Sequence, residues 1–246
     1  MSSYGLAIHT ASTELGLAIS RFARGTCDDV RFQVWDLGRE TANLLQAYLL
    51  EFLQPQIWQD LAFIAVAKGP GGFTGTRIGV VTARTLAQQL EVPLFAISTL
   101  AAVAWEPSRT LVQLTESQLV VTQSITPQSR AIAVQMPAQR DEIFAACYQA
   151  KFPAEHQPAE LITHFPDTLI TPDQWEEWLS QWSNQKLDPE WSQETEQGKK
   201  PYHRVEVKNS LGATVASVLD LAHLEWQQGK RPHWSEALPF YGQNPC

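Results

Sequence analysis

The sequence predicts an α/β protein, and three observations carry that prediction. Between Leu61 and Ile97 an apolar run, a glycine-rich loop, a helical pattern and a second apolar run follow one another, the order of a parallel βαβ crossover. Ahead of that unit lie three β-prone runs joined by short polar connections, which read as a meander. Beyond residue 110 a further group of short apolar runs reads as a second, mostly antiparallel sheet. At 246 residues the chain is long enough for one large domain or two small ones.

Tyr4 to Thr10 and Gly16 to Phe22 are the first two strands, joined by the polar Ala11 to Leu15, and Val30 to Leu37 is the third. Glu40 to Leu53 follows with Leu44, Leu45, Tyr48, Leu49, Phe52 and Leu53 at helical spacing, stopped by Pro55. Leu61 to Ala67 is short, apolar and bounded by Asp60 and Lys68, the pattern of a buried strand. After the loop, Thr74 or Thr76 is placed to cap a helix running to Leu90, and Val92 to Ile97 forms the next strand.

Glu106-Pro107-Ser108 interrupts the pattern and predicts a boundary, giving halves of 1–106 and 107–246. The second half offers strands at Leu111 to Leu114 and Leu119 to Thr122, and a hairpin of Ala131 to Met136 with Glu142 to Gln149 around Pro137 to Asp141. Ser117 to Arg130 is polar. Residues 153–201 are dense in Pro, Gln, Glu and Trp. Within them Pro172 to Trp182 is a helix capped by Thr171, its Trp175, Trp178, Leu179 and Trp182 forming a stripe for packing. Glu190 to Lys200 reads as a surface loop, Tyr202 to Val207 as a strand and Leu211 to Gln228 as the last helix, ended by Gly229 and Pro232.

A formal net charge of −8 argues against a broad basic face for nucleic acid, and the Lys199-Lys200 cluster with His203 and Arg204 is small. Cys27, Cys147 and Cys246 are odd in number and have no CxxC spacing, as expected of reduced thiols. With no membrane-spanning apolar run and no leader-like start, the expectation is a soluble cytoplasmic protein.

Four of the seven residues from Gly69 to Gly75 are glycine, which frees the backbone for positive φ and for close approach. One reading is a phosphate or nucleotide loop using Gly69, Gly71, Gly72, Thr74 and Gly75, with Arg77 adding charge at a helix start. The other is a tight turn packing a helix on its strand. Neither the Walker spacing nor the dinucleotide fingerprint is met.

Lys68 to Gly79, KGPGGFTGTRIG, closely resembles the GPGSFTGLRIG signature of the TsaB/YeaZ family, the non-catalytic partner in bacterial tRNA threonylcarbamoyladenosine synthesis. Leu6 to Leu17 and Val92 to Ala104 extend the resemblance over about the first hundred residues, with later echoes at Ala138 to Phe144 and Ala237 to Tyr241. It implies the actin-like (ASKHA, ribonuclease-H-like) two-lobed fold, each lobe a mixed sheet flanked by helices. Departures lie in the second half, where Pro137 to Arg140 replaces a DAR-type segment and Tyr241-Gly242-Gln243 replaces a YLR-like ending.

Enzymes of that fold class place an Asp at the end of the first strand, where this chain has His9, a poor ligand for Mg²⁺; with no evident acid beside it and Glu14 only a weak candidate partner, His9 reads as a hydrogen-bonded strand-end residue rather than a catalytic base. The register of the family's catalytic paralogue, TsaD, puts its metal-binding histidines at Thr99 and Val103 of this chain, neither a ligand for that site. There is no HExxH, no GxSxG, and no i, i+4 pair among the six histidines. Catalytic and metal residues are therefore expected to be none, and the family role is docking. It implies contact with TsaD, or with a second copy, through the first two helices, by Leu45, Leu49, Phe52, Arg77, Val80, Val81 and Arg84. TsaE and an ATP or ADP at the complex interface would join that assembly, with tRNA reached only through it and no intrinsic cofactor. The rivals are a nucleotide-dependent kinase or hydrolase of the actin-like class and a self-associating scaffold without TsaD.

Overall fold

A computed structural model describes residues 3–23, 26–106, 131–151, 159–185, 201–207 and 210–242. The expected strands at 111–114 and 119–122, the polar stretch 117–130, the loop 190–200 and Cys246 lie outside them. The chain divides into two compact units, one of residues 1–102 with 208–246 and one of 103–207.

The first unit holds a five-stranded sheet ordered β3-β2-β1-β4-β5, with β1 Ser3–His9, β2 Glu14–Ala23, β3 Thr26–Asp36, β4 Leu61–Ala67 and β5 Leu94–Ile97. The expected meander and crossover are both present: β1, β2 and β3 pair antiparallel, while β4 pairs parallel with β1 and with β5. Buried on both faces, the central strands are apolar along their length, which is why Leu61 to Ala67 has no polar alternation. One face, with Leu6, Ile8, Ile64 and Val66, packs against Leu45, Leu49, Phe52 and Leu53 of α1 (Thr41–Leu53) and Val80, Ala83 and Ala87 of α2 (Phe73–Leu90). Arg31 of β3 closes the end of α1 by donating to the carbonyls of Phe52 and Gln54 at 2.5 and 2.7 Å.

The opposite face is aromatic. Phe22, Phe63 and Phe95 stack there with one another and with His223 and Trp226 of a helix in the last part of the chain. A short helix, α3, spans residues 99–106.

The second unit contains a sheet ordered β8-β7-β6-β9, with β6 Ala131–Pro137, β7 Ile143–Lys151, β8 Glu160–Ile170 and β9 Tyr202–Glu206. The expected hairpin of β6 and β7 is present, with Ile132 opposite Tyr148 and Met136 opposite Phe144, and its turn holds Arg140 and Asp141 at φ of 58° and 59°. β8 was not expected. It contains Pro166, which the sheet tolerates because β8 is an edge strand and because the register against β7 shifts there, Cys147 facing Phe165 while Ala145 faces Thr168. α4 (Pro172–Gln185) lays its tryptophans on this sheet. The rings of Trp175, Trp178 and Trp182 are near-parallel, with interplanar angles of 6° and 13°, and the fully buried Trp175 donates its indole N–H to Gln135 Oε1 at 3.2 Å.

The division at 106/107 needs correction. The last helix, α5 (Val215–Gln227), carries Val215, Val218, Leu219 and Ala222, all buried, and covers the aromatic face of the first sheet. The reason is the small residue at that face: a side chain at Gly16 of β2 would collide with Gly212 O and Val215 Cβ, so glycine lets the entrance of α5 sit against the strand. Periodicity marks α5 as amphipathic without saying which sheet takes its apolar stripe.

Truncating Trp175 to Ala removes the one indole of the stack that is wholly buried, and should destabilise the second unit by about 3–5 kcal/mol, with Trp178→Ala costing less. Denaturant unfolding followed by near-ultraviolet dichroism checks this.

Candidate functional site

The glycine loop leaves β4 at Lys68 and enters α2, whose N-cap is Gly72 with no side-chain cap bond. The expectation that Thr74 or Thr76 caps this helix is therefore corrected: α2 starts at Phe73, four residues earlier than a cap at Thr76 requires. Thr76 is inside the first turn, with its hydroxyl buried and unpartnered.

What caps the loop is the opposite connection, after β1. Gly72 donates its N–H to the Ala11 carbonyl at 2.7 Å, and the Thr10 hydroxyl donates to the Gly75 carbonyl at 2.8 Å. A Cβ at Gly71 would strike the Ala11 carbonyl, one at Gly75 the Thr10 carbonyl, and one at Gly79 the Thr10 hydroxyl. Gly75 and Gly79, four residues apart, share one face of α2, and with Gly71 in the loop just ahead of it they let the helix and its entrance press on the end of β1. Gly69, at φ +101°, lies under the C-terminal segment: its Cβ would be 2.5 Å from the Phe240 carbonyl, and Phe240 donates its N–H to the Lys68 carbonyl at 2.7 Å. Gly69, Gly71 and Gly75 thus accommodate carbonyls of this chain, electronegative groups where a phosphate reading wants space for an anion. Gly72 and Thr74 are exposed.

His9 ends β1 completely buried, and neither ring nitrogen has a partner. Removal from water pushes its pKa down from 6.5 to about 4, so the imidazole is neutral. Glu14 is not its partner. Its carboxylate accepts the Gly212 N–H at 2.8 Å and so secures the approach to α5. Burial also lowers His223, stacked 4.1 Å from Phe22, to about 4, and raises the Cys147 thiol to about 12, leaving it an inert small apolar residue. Thr99 is buried, its N–H bound to the Gly69 carbonyl at 2.8 Å, and Val103 is buried as well. Among the described residues no three His, Cys, Asp or Glu side chains gather into a metal-binding group, and no helix is long and apolar enough to cross a membrane.

The residues expected to meet a partner separate into two sets. Leu45, Leu49, Phe52 and Val80 are at most 5% exposed and belong to the core beneath the helices, which withdraws them from any docking surface. Arg77 and Val81 are exposed, one turn apart on the outer side of α2, with Val81 at 51%. Arg84 is half-buried, its guanidinium 5.9 Å from the centre of the Trp234 ring. Three exposed apolar residues on the same helices were missed: Leu44 and Leu50 on α1 and Phe73 at the start of α2. The signal for them is an apolar residue lying off the core stripe of its own helix.

A family model described as TsaD, the tRNA N6-adenosine threonylcarbamoyltransferase, matches residues 48–116. Over 46 residues, 19% of the chain, the sequence is 56% identical to the tRNA threonylcarbamoyladenosine biosynthesis protein TsaB of Bacillus subtilis (strain 168), and the match spans 20% of that protein. The TsaB of Buchnera aphidicola subsp. Schizaphis graminum is 48% identical over 46 residues, 19% of this chain and 22% of that protein. The chain thus matches about a fifth of the length of these curated relatives. In structure, YeaZ from Pseudomonas aeruginosa superposes with a TM-score of 0.66 at 20% identity, covering 97% of this chain and 99% of that one, which gives the α/β actin-like (ASKHA) fold.

Two predictions follow from this geometry. Gly75→Ala gains helix propensity but drives a methyl into the Thr10 carbonyl, so it should destabilise by about 2 kcal/mol or more, while Gly72→Ala, 3.7 Å from its nearest neighbour, should stay within about 1 kcal/mol of the parent in urea unfolding. Because His9 and His223 titrate lower folded than unfolded, their contribution is intact above pH 6.5 and is lost as pH falls towards 4. His9 alone accounts for about 3 kcal/mol of that loss, and His9→Leu should make the acid limb of stability against pH shallower.

Proposed function

We propose that this chain, which belongs to the TsaB/YeaZ family, is the non-catalytic, activating subunit of the complex that transfers a threonylcarbamoyl group to N6 of adenosine 37 in tRNAs reading ANN codons. The observation that carries the reading is the end of β1: where an actin-like enzyme needs a carboxylate, this chain buries a neutral, unpartnered imidazole. A neutral imidazole with no acid beside it neither holds Mg²⁺ as an oxygen ligand would nor relays a proton. The positions corresponding to the TsaD metal ligands, Thr99 and Val103, are buried and support placing the transfer chemistry in TsaD. The kinase or hydrolase alternative meets the same obstacle.

Docking to TsaD uses the outer side of α1 and α2. Arg77, Val81 and Leu50 are exposed there, a mixed apolar and arginine composition suited to an interface core and its rim. The carbonyls already lodged against the loop glycines support placing any ATP or ADP, and with it TsaE, at the assembled interface rather than on this chain alone. A second copy of the chain would compete for the same helices, and tRNA is met through the complex.

Titration of this protein with TsaD by calorimetry tests the assignment. Arg77→Glu and Val81→Glu should each weaken association by about tenfold or more, a typical loss for a central contact. An unaltered affinity in both variants would remove this surface from the interface.

A further inference from the structure

The last described residues fold back onto the glycine loop. From Pro232, whose carbonyl accepts the Leu94 N–H at 3.2 Å, the backbone crosses α2 at Trp234, buries Ala237 in the core and reaches the glycine loop. There the loop is gripped from two sides. The Phe240 N–H and carbonyl meet Lys68 and Gly69, and the Tyr241 ring packs at 4.5 Å on Phe73, the first residue of α2.

This grip is thin compared with the core it touches. Leu238 is 63% exposed and Phe73 60% exposed, and Phe240 and Tyr241 are only half-buried. A segment with so little buried apolar surface opens at low free-energy cost, far below that of the sheet. The loop beneath depends on external contacts because its glycines bring no side chains of their own. Gly69 is the shared point: its carbonyl accepts the Thr99 N–H, its Cα faces Phe240, and the methyl of Thr76 would stand 3.3 Å from a Cβ there. Next to it the hydroxyls of Thr76 and Thr99 are buried without partners, so the site already holds two unsatisfied polar groups.

We infer that Ala237–Tyr241 is a latch: seated, it fixes the glycine loop and the first turn of α2 in the form that docks, and lifted, it loosens both and weakens docking. The effect on docking rests on the docking role proposed above; the hold on the loop and on the first turn of α2 does not. The latch turns a surface contact, Phe73 against Tyr241, into control over the helix that carries Arg77 and Val81.

Amide hydrogen exchange on the full chain, followed residue by residue by NMR, tests the latch. Tyr241→Ser should speed exchange at the Phe240 amide and also at Gly72 and Thr99 by about fivefold, the order expected from losing one aromatic pair, while Leu219 and Leu221 in α5 keep their protection. Leu238→Ser, at an exposed position, should change none of these. Gly69→Ala is the second variant, since its methyl evicts the Phe240 carbonyl whatever Tyr241 contributes. If Phe240 exchanges faster in either variant and Gly72 and Thr99 do not, or if neither variant affects any of the three, the latch is overturned. Binding to TsaD is then measured on the same proteins. Faster exchange with about fivefold weaker binding supports the inference. Faster exchange with unchanged binding overturns the control of docking while leaving the docking role itself intact, and failure of the parent chain to bind TsaD rejects that role separately.

Discussion

The packing of two backbone carbonyls, Thr10 O and Ala11 O, against the glycines at the entrance of α2 is the contact on which the first unit depends. β1 ends in a bend whose carbonyls point at the start of α2, and glycine at Gly71 in the loop and at Gly75 in the helix lets the two come near enough to meet, while Gly79 makes room for the Thr10 hydroxyl. The reward is a set of hydrogen bonds, Gly72 N–H to Ala11 O and Thr10 Oγ1 to Gly75 O, that satisfies buried polar groups which would otherwise cost about 1–3 kcal/mol each. With α2 pinned in this way, Val80, Ala83 and Ala87 fall on the sheet and Arg77 and Val81 fall outside. The identity of the exposed residues is thus a consequence of the glycine contacts.

The same contacts change what the loop offers chemically. A glycine-rich turn at a helix start attracts anions when its amides are free and its surroundings are open. Here one amide is bound to Ala11, the Gly69 face is under Phe240, and carbonyl dipoles occupy the approach. Close by, at the end of β1, His9 is buried, neutral and without a hydrogen-bond partner, so neither the loop nor the strand end presents a free charged group.

Much of the fold was legible in the sequence because the local rules and the global packing agree there. The crossover from Leu61 to Ile97, the hairpin after Ala131 and the tryptophan helix all carry patterns set by burial, and each lies close to its expected place. β8 was hidden because Pro166 argues against a strand unless the strand is at an edge and shifts register at that point, facts that only pairing with β7 supplies. α5 was read correctly as a helix and assigned to the wrong unit, since an apolar stripe does not name its sheet. The candidate site was legible in outline only. Glycine density announced close approach, yet nothing in the composition says whether the approaching group is a phosphate or the chain's own carbonyl. Likewise Val80 and Val81 are adjacent and equally apolar, and a shift of one residue in helical phase decides which is core and which is surface.

The central claim is that this chain contributes a precisely held surface and no chemistry. The most direct measurement is the rate of threonylcarbamoyl transfer to tRNA from threonylcarbamoyl-adenylate by TsaD and TsaE, with this protein present, omitted, and alone. The account predicts modification in the full mixture, a steep fall on omission, and no transfer or nucleotide turnover by the chain alone. Full-rate transfer without it, or turnover by the isolated chain, would contradict the claim.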